Sequence, residues 1–255
     1  MRLASWNVNS IRARFELVVE WLREHQPDAL CLQETKVADH EFPTETFQRL
    51  GYEVARCGQR TYNGVAILSR HPIEDVQVGL VGAEPDDDKR LIAGTVAGVR
   101  LLSAYVPNGK ALDSPSYEEK LRWLERLRET LDRRYRPQQE LLLCGDFNIA
   151  RDERDVFEPE RMQGQLFFSA AEHAALERVL AFGLVDAFRE VEPEGQHFSW
   201  WDYRAGAFRR NRGLRIDYAF LTEPLARRLA GCWMDKAARA KDKPSDHVPV
   251  VVDLR

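Results

Sequence analysis

Nine polar residues sit where apolar, β-type runs of this chain begin or end. They are four carboxylates (Glu34, Asp146, Asp217, Asp246), three amides (Asn7, Asn108, Asn148), the imidazole of His247 and the phenol of Tyr105. Asn7 closes the run 3–6, Gln33-Glu34 follow 29–32, Tyr105 and Asn108 close 100–106, and Asp146 and Asn148 follow 141–144. Asp217 stands instead at the start of 216–221, and Asp246-His247 at the start of the last run, 248–252. Where a sheet has antiparallel members, the ends of some strands share an edge with the starts of others, so these groups can meet at one rim. Carboxylates brought together there repel unless they are protonated or neutralised by a cation. Oxygen donors with a single imidazole favour Mg²⁺ or Mn²⁺ over zinc. Each residue alone also has an ordinary reading. Glu34 can be a satisfied loop carboxylate, Asp146 and Asp246 can cap turns, and His247 can be structural. Asp217, flanked by apolar residues in Arg-Ile-Asp-Tyr, is harder to set aside, because a half-buried carboxylate needs a partner.

The elements that must position these groups are strands at 3–6, 29–32, 65–68, 91–96, 100–106, 141–144, 216–221 and 248–252. Ile11, Phe15, Val18 and Leu22 share a helical face, with Ser10 as the N-cap. Tyr117, Leu121, Leu124, Leu127 and Leu131 define a second helix behind Pro115, and residues 170–181 a third. Several consecutive strands have no helix between them, which predicts mixed sheets with helices packed outside rather than a doubly wound parallel sheet. The 255 residues suffice for one well-cored domain, 1–255, and no linker or repeat divides them. No apolar run reaches the ~18 residues that span a membrane, and the N-terminus has no signal-peptide pattern, so a cytoplasmic chain without a membrane partner is expected. The four cysteines, Cys31, Cys57, Cys144 and Cys232, form no metal or disulfide pattern. The net charge of -4 speaks against a polyanionic partner, but its distribution is uneven. Arg204, Arg209, Arg210, Arg212 and Arg215 crowd one stretch, and Lys236, Arg239, Lys241 and Lys243 another. Acid gathers elsewhere, at Glu84 and Asp86-Asp87-Asp88. Such basic runs are either solvated surface or a phosphate-binding strip.

At these same residues the sequence resembles the exonuclease III family of abasic-site endonucleases, within the endonuclease/exonuclease/phosphatase superfamily. The matching segments, in the family's order, are Trp6-Asn7-Val8-Asn9-Ser10-Ile11-Arg12, Gln33-Glu34-Thr35-Lys36, Asn63-Gly64-Val65-Ala66-Ile67-Leu68-Ser69, Tyr105-Val106-Pro107-Asn108-Gly109, Gly145-Asp146-Phe147-Asn148-Ile149-Ala150, Phe198-Ser199-Trp200-Trp201-Asp202-Tyr203-Arg204, Asn211-Arg212-Gly213-Leu214-Arg215-Ile216-Asp217 and Pro244-Ser245-Asp246-His247. The resemblance implies a four-layer α/β sandwich, two mixed β-sheets face to face with helices outside. It also implies Mg²⁺-dependent DNA repair chemistry, with Mn²⁺ as a substitute ion. That chemistry comprises incision 5′ to abasic sites, 3′→5′ exonuclease action and trimming of blocked 3′ ends on double-stranded DNA. A monomer associated with the nucleoid is expected.

Roles follow by the same resemblance. Glu34 matches the principal metal ligand, with Asn7 and Asp246 completing the site directly or through water. Asp146 orients or deprotonates the attacking water, and Asn148 holds it. His247 is bonded to the phosphate oxygen and held by Asp217, while Tyr105 and Asn108 contact the scissile phosphate. Trp200, Trp201, Leu214 and Ile216 resemble the apolar pocket for a base-less sugar, and Arg204, Arg212 and Arg215 then become phosphate clamps. Asn9 stands where some relatives carry a carboxylate, and residues 158–168 resist alignment. Other superfamily phosphoesterases share the Glu, Asp-x-Asn and Asp-His core but are not expected to carry Trp-Trp-Asp-Tyr-Arg followed by Gly-Leu-Arg-Ile-Asp. A non-enzymatic, RNA-associated regulator would tolerate the loss of metal and water ligands, and none is missing.

Overall fold

The computed structural model of the protein describes residues 1–84 and 87–255; Asp86 of the acidic run lies outside the described residues. Strands β1 (Arg2–Asn7), β2 (Ala29–Gln33), β3 (Glu53–Cys57), β4 (Val65–Ser69), β11 (Leu229–Met234) and β12 (Val250–Leu254) form one sheet, ordered β11-β12-β1-β2-β4-β3. The other contains β5 (Ile73–Val78), β6 (Leu91–Val96), β7 (Val99–Tyr105), β8 (Leu141–Asp146), β9 (Leu184–Asp186) and β10 (Asp217–Thr222), ordered β5-β6-β7-β8-β10-β9. Both sheets are mixed: β1 and β2 run parallel, as do β7 and β8, while the remaining pairs are antiparallel.

Residue alternation builds the layers. Leu3, Cys31 and Ile67 from the first sheet meet Leu101, Leu142, Cys144 and Ala219 from the second in the central core. Their neighbours Ala4, Trp6, Leu30 and Leu32 point the other way, against Val18 and Leu22 of α1 (Phe15–His25) and Phe47 of α2 (Thr44–Arg49). On the opposite outside, Leu102, Leu143 and Phe220 receive Leu124, Leu127 and Leu131 of α3 (Pro115–Arg134), followed in the chain by the short α4 (Pro159–Met162). Leu176 and Val179 of α5 (Ala170–Leu180) complete that layer. Period-two strands with both faces covered read as near-continuous apolar runs, which is why most of these strands stand out in the sequence.

The helix starts differ in part from expectation. Ser114 caps α3 by accepting the Tyr117 N–H, with Pro115 as the first helical residue, and Ser169 and Glu172 form a capping box on α5. Ser10 does not cap α1. It lies at φ 92 in a turn, and the helix begins only at Phe15. Asp246-His247 do not open β12 but precede it, His247 making an isolated bridge to Trp200. Among the described residues, no helix is long and apolar enough to cross a membrane.

Candidate active site

Strand register places the groups. Tyr105 and Asp146 are Cα partners at the ends of parallel β7 and β8, and Asp146 pairs with Asp217 at the start of antiparallel β10. Asn7 and Gln33 pair at the same ends of β1 and β2. Gly145 makes the approach of β8 to β7 possible: at φ +139, a Cβ there would lie 1.9 Å from the Ala104 carbonyl oxygen. Just beyond the strands, Glu34 and Asn148 adopt left-handed backbone (φ 52 and 51), which turns their side chains back over the rim. Beneath the rim, Gln33 Nε2 donates to Ser5 Oγ at 3.1 Å and Ser103 Oγ at 2.9 Å, a polar stitch between the sheets.

Asn7 Nδ2 donates to Glu34 Oε1 at 2.8 Å and to Asp146 Oδ2 at 2.9 Å, so one amide joins two carboxylates. Asp146 also accepts the Asn148 backbone N–H at 2.9 Å and Asn148 Nδ2 at 3.2 Å, and Asn108 Nδ2 donates to Asn148 Oδ1 at 3.2 Å. His247 Nδ1 lies 2.8 Å from Asp217 Oδ2, and its Nε2 is 3.8 Å from Asp146 Oδ2. Ser199 Oγ donates to Asp217 Oδ2 at 2.6 Å and accepts the Ile216 and Asp217 N–H groups, so the carboxylate behind the imidazole is itself held. Asp246 accepts Trp200 Nε1 and Asn9 Nδ2, each at 2.9 Å. Lys36 Nζ bridges Asn9 Oδ1 (2.6 Å) and Glu34 Oε2 (2.8 Å).

Burial sets the electrostatics. It pushes the Asp146 carboxyl up to about 7, helped by Asp217 and Glu34 and opposed by His247. Burial works against a charged His247, but Asp217 and Asp146 outweigh it and raise the ring to about 10. His247 is therefore an imidazolium at neutral pH. Desolvation, with Glu34 and Asp146 adding, pushes the Tyr105 phenol well above its ordinary value, while Arg90, 4.8 Å over its ring, pulls the other way. Asp246 is partly buried, and desolvation would raise its carboxyl, yet His247 and the donors Trp200 and Asn9 hold it below the usual carboxylate value.

One donor atom each from Glu34, Asp146 and His247 lie within 4.8 Å of one another. With His247 charged and its Nδ1 committed to Asp217, the free donors of that trio are carboxylate oxygens. Two adjacent carboxylates, one of them driven up by burial, suit a hard divalent cation. Among the described residues, Asp246 does not join the trio; Trp200 and Asn9 already engage its oxygens.

The apolar pocket expected beside this cluster needs two corrections. Trp200 is half-buried and meets Phe167 at a ring separation of 6.5 Å. Leu214 and Ile216 lie beneath them in a cluster whose partly open members are Phe157, Met162, Phe167 and Trp200. Trp201 is 0 % exposed and packs with Phe198, Ala207, Val248 and Phe208, so it belongs to the core and not to a pocket wall. Arg215 is 1 % exposed, with Nε and NH2 on Asp155 (2.7 and 3.0 Å) and NH1 2.7 Å from Asp186. A guanidinium buried between two carboxylates has no face open to a phosphate, so Arg215 is an internal strut. Arg204 is exposed and pairs with Asp202; Arg212 is exposed and stands 3.8 Å from Glu158.

Sequence reasoning missed Ser199, although it lies inside a quoted segment, and the wall formed by Phe157, Met162 and Phe167. The only signal for that wall was aromatic residues in the unaligned stretch after the Asp146 segment.

The model of the Endonuclease/Exonuclease/phosphatase family matches residues 4–247. The chain is 31% identical over 267 residues to exodeoxyribonuclease III of Haemophilus influenzae, covering 100% of both chains. Among solved structures, it superposes at TM-score 0.96 and 39% identity on the 3′ phosphatase NExo from Neisseria bound to a product DNA hairpin. That match covers 100% of this chain and 99% of the other. An AP endonuclease from Archaeoglobus fulgidus matches at TM-score 0.96 and 40% identity with the same coverage.

Proposed function

The chain belongs to the endonuclease/exonuclease/phosphatase family, and from that premise we propose that it is a DNA-repair phosphodiesterase that incises abasic sites and trims 3′ ends with Mg²⁺. The observation that carries the proposal is the facing pair of Asp146 and the Asp217-bound His247, 3.8 Å apart at one rim. Its two members are tuned in opposite directions. Burial drives the Asp146 carboxyl upward and so strengthens it as a proton acceptor, whereas the imidazolium held by Asp217 has no free nitrogen to accept one. Asp146 is accordingly the base that takes the water's proton, and Asn148 fixes the direction of that water. His247 presents a charged Nε2–H to a non-bridging phosphoryl oxygen, where negative charge develops. Tyr105 and Asn108, at the end of β7 and just beyond it, hold the scissile phosphate from the other side.

Glu34, Asp146 and Asn7 would hold the Mg²⁺ ion, with Asp246 reaching it through water and Mn²⁺ as substitute. When bound, the ion supplies Lewis-acid stabilisation of the phosphoryl charge. The apolar patch of Trp200 and Phe167, backed by buried Leu214 and Ile216, would receive a deoxyribose without its base, which favours abasic over intact nucleotides by steric exclusion. Exposed Arg204 and Arg212 contact flanking phosphates. One domain, acting as a monomer on cytoplasmic, nucleoid DNA, carries this activity.

A labelled duplex containing one tetrahydrofuran abasic-site mimic tests the proposal. Incision 5′ to the mimic with Mg²⁺, absent with EDTA and leaving a 3′-hydroxyl, is expected. Folded protein that cuts neither this duplex nor a 3′-phosphate end with Mg²⁺ or Mn²⁺ would overturn it.

A further inference from the structure

Lys120 is a lysine with a fully buried side chain on α3, facing the loops behind the rim, and no role above uses it. All three of its donors are engaged. Nζ reaches Glu172 Oε1 at 2.5 Å, the Asn148 carbonyl at 2.6 Å and the Asn108 carbonyl at 3.3 Å. The two carbonyls belong to residues whose side chains also bond to each other, and Asn148 in turn holds Asp146. Asn148 sits in left-handed backbone, a conformation that non-glycine residues adopt at a cost, so its inward carbonyl needs a firm partner. Without the ammonium, the buried Asn148 carbonyl would lose this donor, and the loops after β7 and β8 would lose their common anchor.

Glu172 extends the link to the pocket. Its carboxylate accepts the Phe167 N–H at 3.1 Å, the Ser169 N–H at 3.1 Å and Ser169 Oγ at 2.7 Å, and Tyr117 Oη lies 2.5 Å from that hydroxyl. Phe167, itself at φ 72, presents its ring 5.1 Å from Lys120 Nζ and also meets Trp200. A single buried ion pair thus touches the water-orienting loop, the phosphate-contacting loop and the aromatic wall of the sugar pocket. Three segments far apart in sequence are fixed by one cation and one anion.

We propose that Lys120, paired with Glu172, is a positioning residue that sets the Asn108 and Asn148 loops for the cleavage step. This inference rests on the phosphodiesterase reading of the site. An uncharged stand-in of similar volume for both partners would preserve packing while abolishing the ammonium's hydrogen bonds to the loops. The pair therefore offers a way to separate folding from positioning, because replacing a buried ion pair as a unit is often tolerated whereas removing one partner is not.

The experiment compares wild type, Lys120→Met, Glu172→Gln and the double variant Lys120→Met/Glu172→Gln. Each is assayed for Tm, for kcat and KM on the tetrahydrofuran duplex with Mg²⁺, and for Kd on the same duplex in EDTA. Lys120→Met is expected to lower both Tm and kcat. The double variant is expected to regain most of the Tm while kcat stays at least about 100-fold down, with Kd within about threefold of wild type. Glu172→Gln, which keeps the ammonium and both carbonyl contacts, should keep kcat within about tenfold. Recovery of kcat in step with Tm in the double variant would overturn the proposal and leave the pair a packing feature. Should Lys120→Met not fold, the double variant still decides, and should neither fold, a Glu172→Gln protein that loses Tm and kcat together also counts against positioning. Absence of incision by wild type would instead defeat the function on which the inference rests.

Discussion

Asp217 holds an imidazole and a serine hydroxyl on the same oxygen, Oδ2, and both contacts serve the charge on His247. Asp217→Asn keeps the volume but removes the first of the anions that offset the burial penalty of the ring, so the charge on His247 is weakened. The expected result is a fall in kcat of about 100-fold or more with DNA affinity within about threefold, read by steady-state incision and fluorescence anisotropy. A Kd that rises in step with the loss of kcat would show that Asp217 works by holding the loop rather than the charge. Asp146, Asp217, Glu34 and His247 were legible in the sequence because each abuts an apolar run and only a cation or a charged partner reconciles so many acids at one rim. Trp201 and Arg215 were not legible, for a shared reason. Adjacent residues in extended chain face opposite sides, so of Trp200-Trp201 one meets the site and the other the core, and the sequence does not say which. Arg215 looks like surface charge until Asp155 and Asp186, from distant segments, are seen to enclose it.

At the level of elements, every strand that escaped the sequence pattern is an edge strand. β3 and β11 bound one sheet, β5 and β9 the other. An edge strand has one neighbour and often a more exposed face, which dilutes its apolar signal, as in β5, where every residue after Ile73 is exposed; β9 is covered but only three residues long. The central strands that carry the site were all recognised, since burial on both faces leaves an apolar run. Two outcomes belong to this scale. Arg215→Ala leaves buried Asp186 without its cation and Asp155 with Arg189 alone, and is expected to cost about 3 kcal/mol in denaturant unfolding, with no change in the salt dependence of DNA binding. A stable variant with a flattened salt slope would restore the phosphate-clamp role rejected above. Gly145→Ala places a methyl against the Ala104 carbonyl and must separate β7 from β8. A Tm lower by several degrees and lost incision are expected together, and retention of both would mean that the Tyr105–Asp146 register does not depend on that close approach.

For the whole molecule, a net charge of -4 is compatible with a polyanionic substrate because the charges segregate along the chain. The arginines at 204, 209, 210 and 212 remain exposed near the Trp200 segment, whereas several other arginines are spent on internal ion pairs. Arg212→Ala is expected to weaken DNA binding and lower the slope of log K against log salt by about 0.9, the share of one phosphate contact. An unchanged slope would remove Arg212 from the interface. The sandwich itself follows from two sheets that each need both faces covered, and it delivers the ends of β1, β2, β7 and β8 and the start of β10 to one rim. The most direct test of that convergence as a cleavage site is single-turnover incision of the tetrahydrofuran duplex by Asp146→Asn with Mg²⁺, alongside its DNA affinity and Tm. The account predicts cleavage at least about 1,000-fold slower, with Kd within about threefold and the fold retained, because relief of a buried carboxylate that burial pushes upward offsets the amide N–H that must face a donor of Asn7 or Asn148. Cleavage near the wild-type rate would contradict it and remove Asp146 from the chemistry.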